Sequence, residues 1–156
     1  PPISSPKPSS SASDVYKRQI VVYKSYLKIK KIKMKNVSCH CGKVKLQIKV
    51  DDIGKLQRCN CSICRKKGSI MAAVDLNNLE ILEGKENLSM YQFNTKVAKH
   101  YFCKICGIYT HHQRRSNPNE FAVNVGCIDE IDPYEYFKLK VENNDGNNHI
   151  LDRVKK

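Results

Sequence analysis

Residues 43–50 read KVKLQIKV, with Val44, Leu46, Ile48 and Val50 on one register and Lys43, Lys45, Gln47 and Lys49 on the other. Strict alternation has the two-residue period of a strand with one face in a core and one in water. Residues 69–75 (SIMAAVD) read as a short, more continuously apolar strand. Further short runs follow at 79–84, 87–93, 99–103, 107–113 and 121–126. Turn residues separate them, among them Gly84 and the NPN at 117–119. The stretch 132–139 (DPYEYFKL) alone has a helix start, with Asp132 as N-cap and Pro133 at the first helical position. No long amphipathic helix and no internal repeat is present, and the pattern predicts a mainly β domain.

Patterning also marks the flanks. Residues 1–19 are rich in Ser and Pro and have no periodicity. Such a segment cannot bury enough apolar surface to offset its ordering entropy, so disorder is expected. Met34, followed by KNVSCHCG, would make a natural start, so a translated linker is the other reading of what precedes it. Residues 27–35 (LKIKKIKMK) interleave apolar residues with lysine, as an edge strand or a solvated basic arm would. The expected organisation is a disordered or basic extension over 1–35, a folded domain over 36–140 and a polar tail over 141–156.

The formal charge of +13 changes this picture little. Residues 1–35 hold nine Lys/Arg against one Asp, and residues 36–156 hold nineteen against fourteen Asp/Glu. The basicity therefore belongs mostly to the N-terminal arm, the only segment expected to contact nucleic acid or microtubules. No apolar run approaches the roughly 18–20 residues of a membrane span. The expectation is a soluble, cytoplasmic protein, with the nucleus admitted by the basic arm.

Eight cysteines change it most. They fall as C-x-C (Cys39, Cys41), C-x-C-x2-C (Cys59, Cys61, Cys64) and C-x2-C (Cys103, Cys106), with Cys127 alone. Such short loops strain a disulfide but suit a metal, which gathers thiolates from one turn of chain. Seven clustered thiols divide into four and three. A structural zinc closes with four protein ligands, drawn here from Cys39, Cys41, Cys103 and Cys106. Gly107 would permit the knuckle turn that follows Cys106. Cys59, Cys61 and Cys64 then keep one open position, as catalytic zinc does. Spacing alone leaves two alternatives. His40, His100, His111, His112 or His149 could supply a fourth ligand, or Cys127 could join the trio. For Cys127 the competing reading is a small buried hydrophobe at a strand end, and for His111 and His112 a place on the surface or in the core.

The segments SCHCGKVKLQI, RCNCSICRKKGS, YFCKICGIYTHH and FAVNVGCID resemble, in order and spacing, the family of glutathione-dependent formaldehyde-activating enzymes, which includes centromere protein V. The match spans residues 36–136. The resemblance implies a β-rich Mss4-like fold with two Zn2+, one structural on Cys39, Cys41, Cys103 and Cys106 and one catalytic on Cys59, Cys61 and Cys64. It also implies carbon–sulfur lyase chemistry, with a small-molecule thiol such as glutathione as co-substrate and an aldehyde or thioether as partner. Arg58, Arg65, Lys66 and Lys67 are then placed to offset the negative zinc–thiolate charge or to hold glutathione carboxylates. No side chain beyond the open zinc site is assigned a catalytic role. The family's other face is a non-catalytic scaffold that uses the basic arm.

Overall fold

The computed structural model describes residues 33–149 except Asp51, Asp52, Gly54 and Phe137. The chain divides into two units, Pro1–Lys31 and Ile32–Lys156, and every described residue lies in the second. The expectations for the N-terminal arm before residue 33, including nucleic-acid or microtubule contacts, fall outside the described residues. Its last lysines, Lys33 and Lys35, are part of a strand.

Among the described residues ten strands and two short α-helices follow in chain order. They are β1 (Lys33–Ser38), β2 (Lys45–Val50), β3 (Leu56–Cys59), α1 (Ser62–Lys67), β4 (Met71–Asp75), β5 (Leu79–Glu83), β6 (Leu88–Tyr91), β7 (Lys99–Cys103), β8 (Tyr109–Gln113), β9 (Glu120–Asn124), α2 (Pro133–Tyr136) and β10 (Val141–Asn144). One sheet has the order β1-β2-β5, the other β10-β3-β4-β9-β8-β7-β6. Among the described residues all strand pairings are antiparallel except β10 with β3, which is parallel. The domain is mainly β, as the pattern predicts.

The alternation in β2 does what its period requires. Leu46 and Ile48 are fully buried while Lys45 and Lys49 stay exposed. Burial of each of these large aliphatic side chains stabilises the fold by roughly 1.5–3 kcal/mol. They pack with Val37, Val44, Val74, Val123 and Ile128 in a core that joins the two sheets. Cys39, Cys103 and Cys127 lie in the same cluster, so one of the expected metal sites grows directly out of the core. A second, smaller cluster of Leu56, Ala72 and Val125 sits under β3 and β4. In α2, Asp132 Oδ1 accepts from Tyr134 N at 2.8 Å, the capping that the sequence predicts.

Two elements depart from the sequence reading. Residues 141–144, assigned by composition to a polar tail, form β10, which pairs with β3 and ends against the cysteine loop. VENN lacks apolar alternation because three of its four residues are exposed, so only its backbone pairing makes it a strand. Helix α1 is the other. It buries no residue and therefore leaves no hydrophobic period; its turn is set by Cys61 and Cys64 and closed by Gly68 at φ 63°.

Candidate metal centres and the cavity beside the three-cysteine group

Four sulfurs meet where the β1–β2 turn faces the β7–β8 turn. The Sγ atoms of Cys39, Cys41, Cys103 and Cys106 all lie within 4.8 Å of one another. Cys39 Sγ is 3.6 Å from Cys41 Sγ, which is 3.7 Å from Cys103 Sγ. A tetrahedron with zinc–sulfur bonds of about 2.3 Å has sulfurs about 3.8 Å apart, whereas a disulfide needs about 2.05 Å. All the cysteines are free thiols.

Each pair is delivered by a tight turn. Gly42 N donates to Cys39 O at 3.0 Å and Gly107 N to Cys103 O at 2.8 Å. Gly42 and Gly107 hold φ of 71° and 74°, in the left-handed region that strains other residues. Val44 N donates to Cys39 Sγ at 3.3 Å, a contact that stabilises a thiolate. Cys106 is held down to about 6, foremost by the backbone N–H of Ile108.

Cys59, Cys61 and Cys64 form a separate group with the same close approach of sulfurs, half-buried, at the end of β3 and on α1. Proton sharing with Cys59 and Cys64, then the backbone N–H groups of Cys64 and Ile63, holds Cys61 well below the usual thiol range. Cys59 and Cys64 are pushed up by the same sharing. Among the described residues no histidine joins either group, and Cys127 joins neither. Cys127 is buried and donates to Tyr109 O, its thiol pushed up to about 12 chiefly by burial.

The C-terminal segment that composition had marked as a tail clamps the three-cysteine loop. Asn60, between two of the cysteines, accepts from Gly146 N at 2.8 Å and Asn147 N at 3.2 Å through Oδ1. Its Nδ2 donates to Asp145 Oδ1 at 3.0 Å. At Gly146 a methyl group would stand 2.3 Å from Cys59 Sγ, so only glycine lets the backbone approach this closely.

The three cysteines line one wall of a cavity of about 480 Å3, within the roughly 300–1,000 Å3 of small-molecule sites. Other walls come from His112 and Arg114 on and beyond β8, Phe93, and Asn144–Asn147. Arg114 is held by Glu120 and by Gln57 Oε1, the latter at 3.2 Å. Gln57 Oε1 also accepts from Asn144 Nδ2 at 2.9 Å, which ties this wall to β10.

The structure sorts the four expected cations. Arg58 lines the cavity, whereas Arg65 and Lys66 are exposed and do not line it. Lys67 turns inward. Its Nζ is buried without a hydrogen-bond partner among the described residues and lies 3.2 Å above the centre of the Tyr109 ring. Burial lowers its pKa to about 8, while Cys64 and Cys61 pull it back up. A buried ammonium with nothing to donate to fits a negatively charged neighbour, and a metal held by three thiolates carries net charge −1. The donor set, the sulfur spacing and this orphaned cation all fit zinc. Sequence reading missed Arg114, Arg115, Asn60 and the 144–147 clamp. The RR one residue beyond the HH of β8 (HHQRR, residues 111–115) was a visible signal for the first two; nothing in the sequence marks the clamp.

Three neutral histidines sit on this sheet. His100 and His111 are each lowered to about 4 and His112 to about 3, in every case mainly by burial. Between pH 6.5 and about 4 the unfolded chain takes up protons that the folded chain refuses, so stability falls as pH falls. The slope is about 1.4 kcal/mol per pH unit for each histidine. The histidine contribution to urea midpoints is expected to be flat above pH 7 and to drop below 6.5. His111→Gln, away from the cysteines, should shallow that drop by about one histidine's share; an unchanged slope would refute the assignment.

The family model described as "Glutathione-dependent formaldehyde-activating enzyme" matches residues 34–142, and this range contains both cysteine groups and β10 up to its second residue. The chain belongs to the GFA family. A Halomonas elongata protein named "Putative glutathione-dependent formaldehyde-activating enzyme" is 33% identical over an alignment of 78 residues that covers 44% of this chain. The chain spans about half of that relative's length, 49%. A crystal structure of a Rhodobacter sphaeroides protein is 44% identical with a TM-score of 0.64, covering 69% of this chain and 99% of that one. Membership in the GFA family agrees with the mainly β fold. Among the described residues no helix is long and apolar enough to cross a membrane.

Proposed function

We propose that this GFA-family chain is a zinc-dependent carbon–sulfur lyase that makes and breaks the adduct of a small thiol and an aldehyde, with glutathione and formaldehyde as the leading pair. The observation that carries this reading is the three-cysteine group on a cavity wall, with the orphaned Lys67 ammonium near it. Cys39, Cys41, Cys103 and Cys106 would hold the structural ion, and Cys59, Cys61 and Cys64 the catalytic one. Zinc bound by three thiolates keeps a fourth position and lowers the pKa of a thiol that takes it.

The chain's own residues do the rest. Arg58 and Arg114 line the cavity and suit the carboxylates of an anionic thiol such as glutathione. Arg114 is preorganised for this by Glu120 and Gln57. Lys67 offsets the negative charge that gathers at the sulfurs. The substrate sulfur attacks the carbonyl carbon, and a carbon–sulfur bond forms. The carbonyl π pair passes to oxygen, which takes up a proton; the reverse sequence is the lyase reaction. Free cysteines throughout suit a reducing compartment, and we place the protein in the cytoplasm.

The test is exchange NMR of glutathione and formaldehyde with protein that carries two zincs. Exchange into S-hydroxymethylglutathione faster than the spontaneous rate is expected. Two-zinc protein that neither binds glutathione nor speeds the exchange would sink the proposal.

A further inference from the structure

Behind the cavity wall, His100 on β7 and His112 on β8 face each other as register partners, their ring centres 5.2 Å apart. Both turn Nδ1 toward one hydroxyl. Tyr109 OH lies 3.1 Å from His100 Nδ1 and 2.5 Å from His112 Nδ1. His100 and Tyr109 are buried, whereas His112 is part-exposed and lines the cavity that holds Cys59, Cys61 and Cys64. With Nδ1 engaged, Nε2 is the nitrogen that His112 has left for the cavity.

A hydroxyl carries one proton, so it donates to one ring and accepts from the other. Two neutral histidines around it must hold opposite tautomers. When Tyr109 donates to His100, His112 carries its proton on Nδ1 and presents a bare Nε2. When Tyr109 donates to His112, His112 presents Nε2–H. When Nε2 gains a proton from the cavity, shifting one proton along each of these two hydrogen bonds turns the cavity-facing acceptor into a donor and passes the positive charge to His100.

We propose that His112, Tyr109 and His100 form a proton relay in which His112 Nε2 takes the proton of the substrate thiol and returns it to the carbonyl oxygen; the step rests on the thiol–aldehyde reading above. As Nε2 gains the thiol proton, the Nδ1 proton of His112 moves to Tyr109 oxygen and the Tyr109 proton moves to His100 Nδ1. One positive charge then rests on His100, behind the wall. As the carbon–sulfur bond forms, the carbonyl oxygen gains the π pair and takes the Nε2 proton, and both other protons move back. The thiol proton ends on the adduct hydroxyl, and no outside acid or base is consumed.

The surroundings favour prompt return of the charge. Lys67 faces both rings and Tyr109; Arg114 and His111 face His112; Cys61 faces His100 and Tyr109, and Cys64 faces Tyr109. Burial, then Lys67, makes a lasting imidazolium at His100 unfavourable. His112 is the group assigned to the reacting atoms, and Tyr109 and His100 are positioning residues.

Tyr109→Phe keeps the ring under Lys67 and removes only the bridging hydroxyl. In two-zinc protein we expect kcat for adduct formation to fall about 10²-fold, at the low end of general acid–base effects, with KM for glutathione within about threefold of wild type. His112→Gln should fall at least as far, and Tyr109→Phe with His100→Gln together no further than Tyr109→Phe alone. A proton inventory in mixed H2O and D2O should be bowed for wild type and straight for Tyr109→Phe. Without substrate, 15N NMR of two-zinc wild type should show one ring protonated at Nδ1 and its partner at Nε2. Matching tautomers, or a Tyr109→Phe protein with wild-type kcat, would overturn the relay while leaving the function reading standing. Wild-type protein with no adduct formation would overturn both.

Discussion

Cys103→Ser is expected to give a chain that does not hold its fold at 25 °C, beyond any graded loss of activity. Cys103 is fully buried, and its Sγ stands 3.7 Å from Cys41 Sγ. It ends β7 in the seven-stranded sheet, while Cys39 and Cys41 belong to the turn between β1 and β2 in the other sheet. The four-sulfur group thus ties the two sheets beside their shared core. Apparent zinc-binding free energies for such sites are about 10–16 kcal/mol, comparable with the roughly 5–15 kcal/mol total stability of an ordinary domain. A serine leaves three sulfurs and a poorer oxygen ligand at a buried corner of the site. Circular dichroism, amide dispersion and zinc content would read the outcome together. Dispersed spectra with two zincs per chain, or a melting point within about 2 °C of wild type, would mean that this site is not what holds the sheets.

Particular residues show why the sequence was partly legible. β2 could be read because Leu46 and Ile48 enter a core on one face while Lys45 and Lys49 meet water, and this asymmetry is written as alternation. The cysteines could be divided because coordination number and spacing constrain ligand sets more tightly than propensity constrains strands. β10 was invisible because backbone pairing with β3 leaves no side-chain pattern. Asn60 and Gly146 were invisible for a related reason. Their role is one close approach between segments 86 positions apart, and a lone Asn or Gly in a polar stretch carries no mark of that. His112 was read as a surface or core residue; it lines the cavity, while its neighbour His111 is buried and hydrogen-bonded to Thr110 at 2.9 Å. Alternation along β8 sends successive side chains to opposite faces, so the HH pair splits between two environments.

Cys64→Ser should have the opposite character to Cys103→Ser: one zinc per chain in place of two, a retained fold, and adduct formation slowed by on the order of 10³ or more toward the spontaneous rate. Helix α1, which carries Cys64, buries no residue, so loosening it exposes little apolar surface. The loop also keeps anchors that need no metal. Asn60 still holds the 145–147 segment, and β3 still pairs with both β4 and β10. Lys67 limits the tolerance, because its buried ammonium loses the charge that offsets it; a fall of a few degrees in melting temperature is therefore expected rather than none. Activity has no such reserve, since a trio reduced to two sulfurs no longer supplies the set that activates a thiol. The two variants together separate the sites: zinc falling from two to one with the fold intact supports the division into four and three ligands. Zinc falling from two to none with loss of the fold in Cys64→Ser would instead make the seven sulfurs one interdependent cluster, and the division would be wrong.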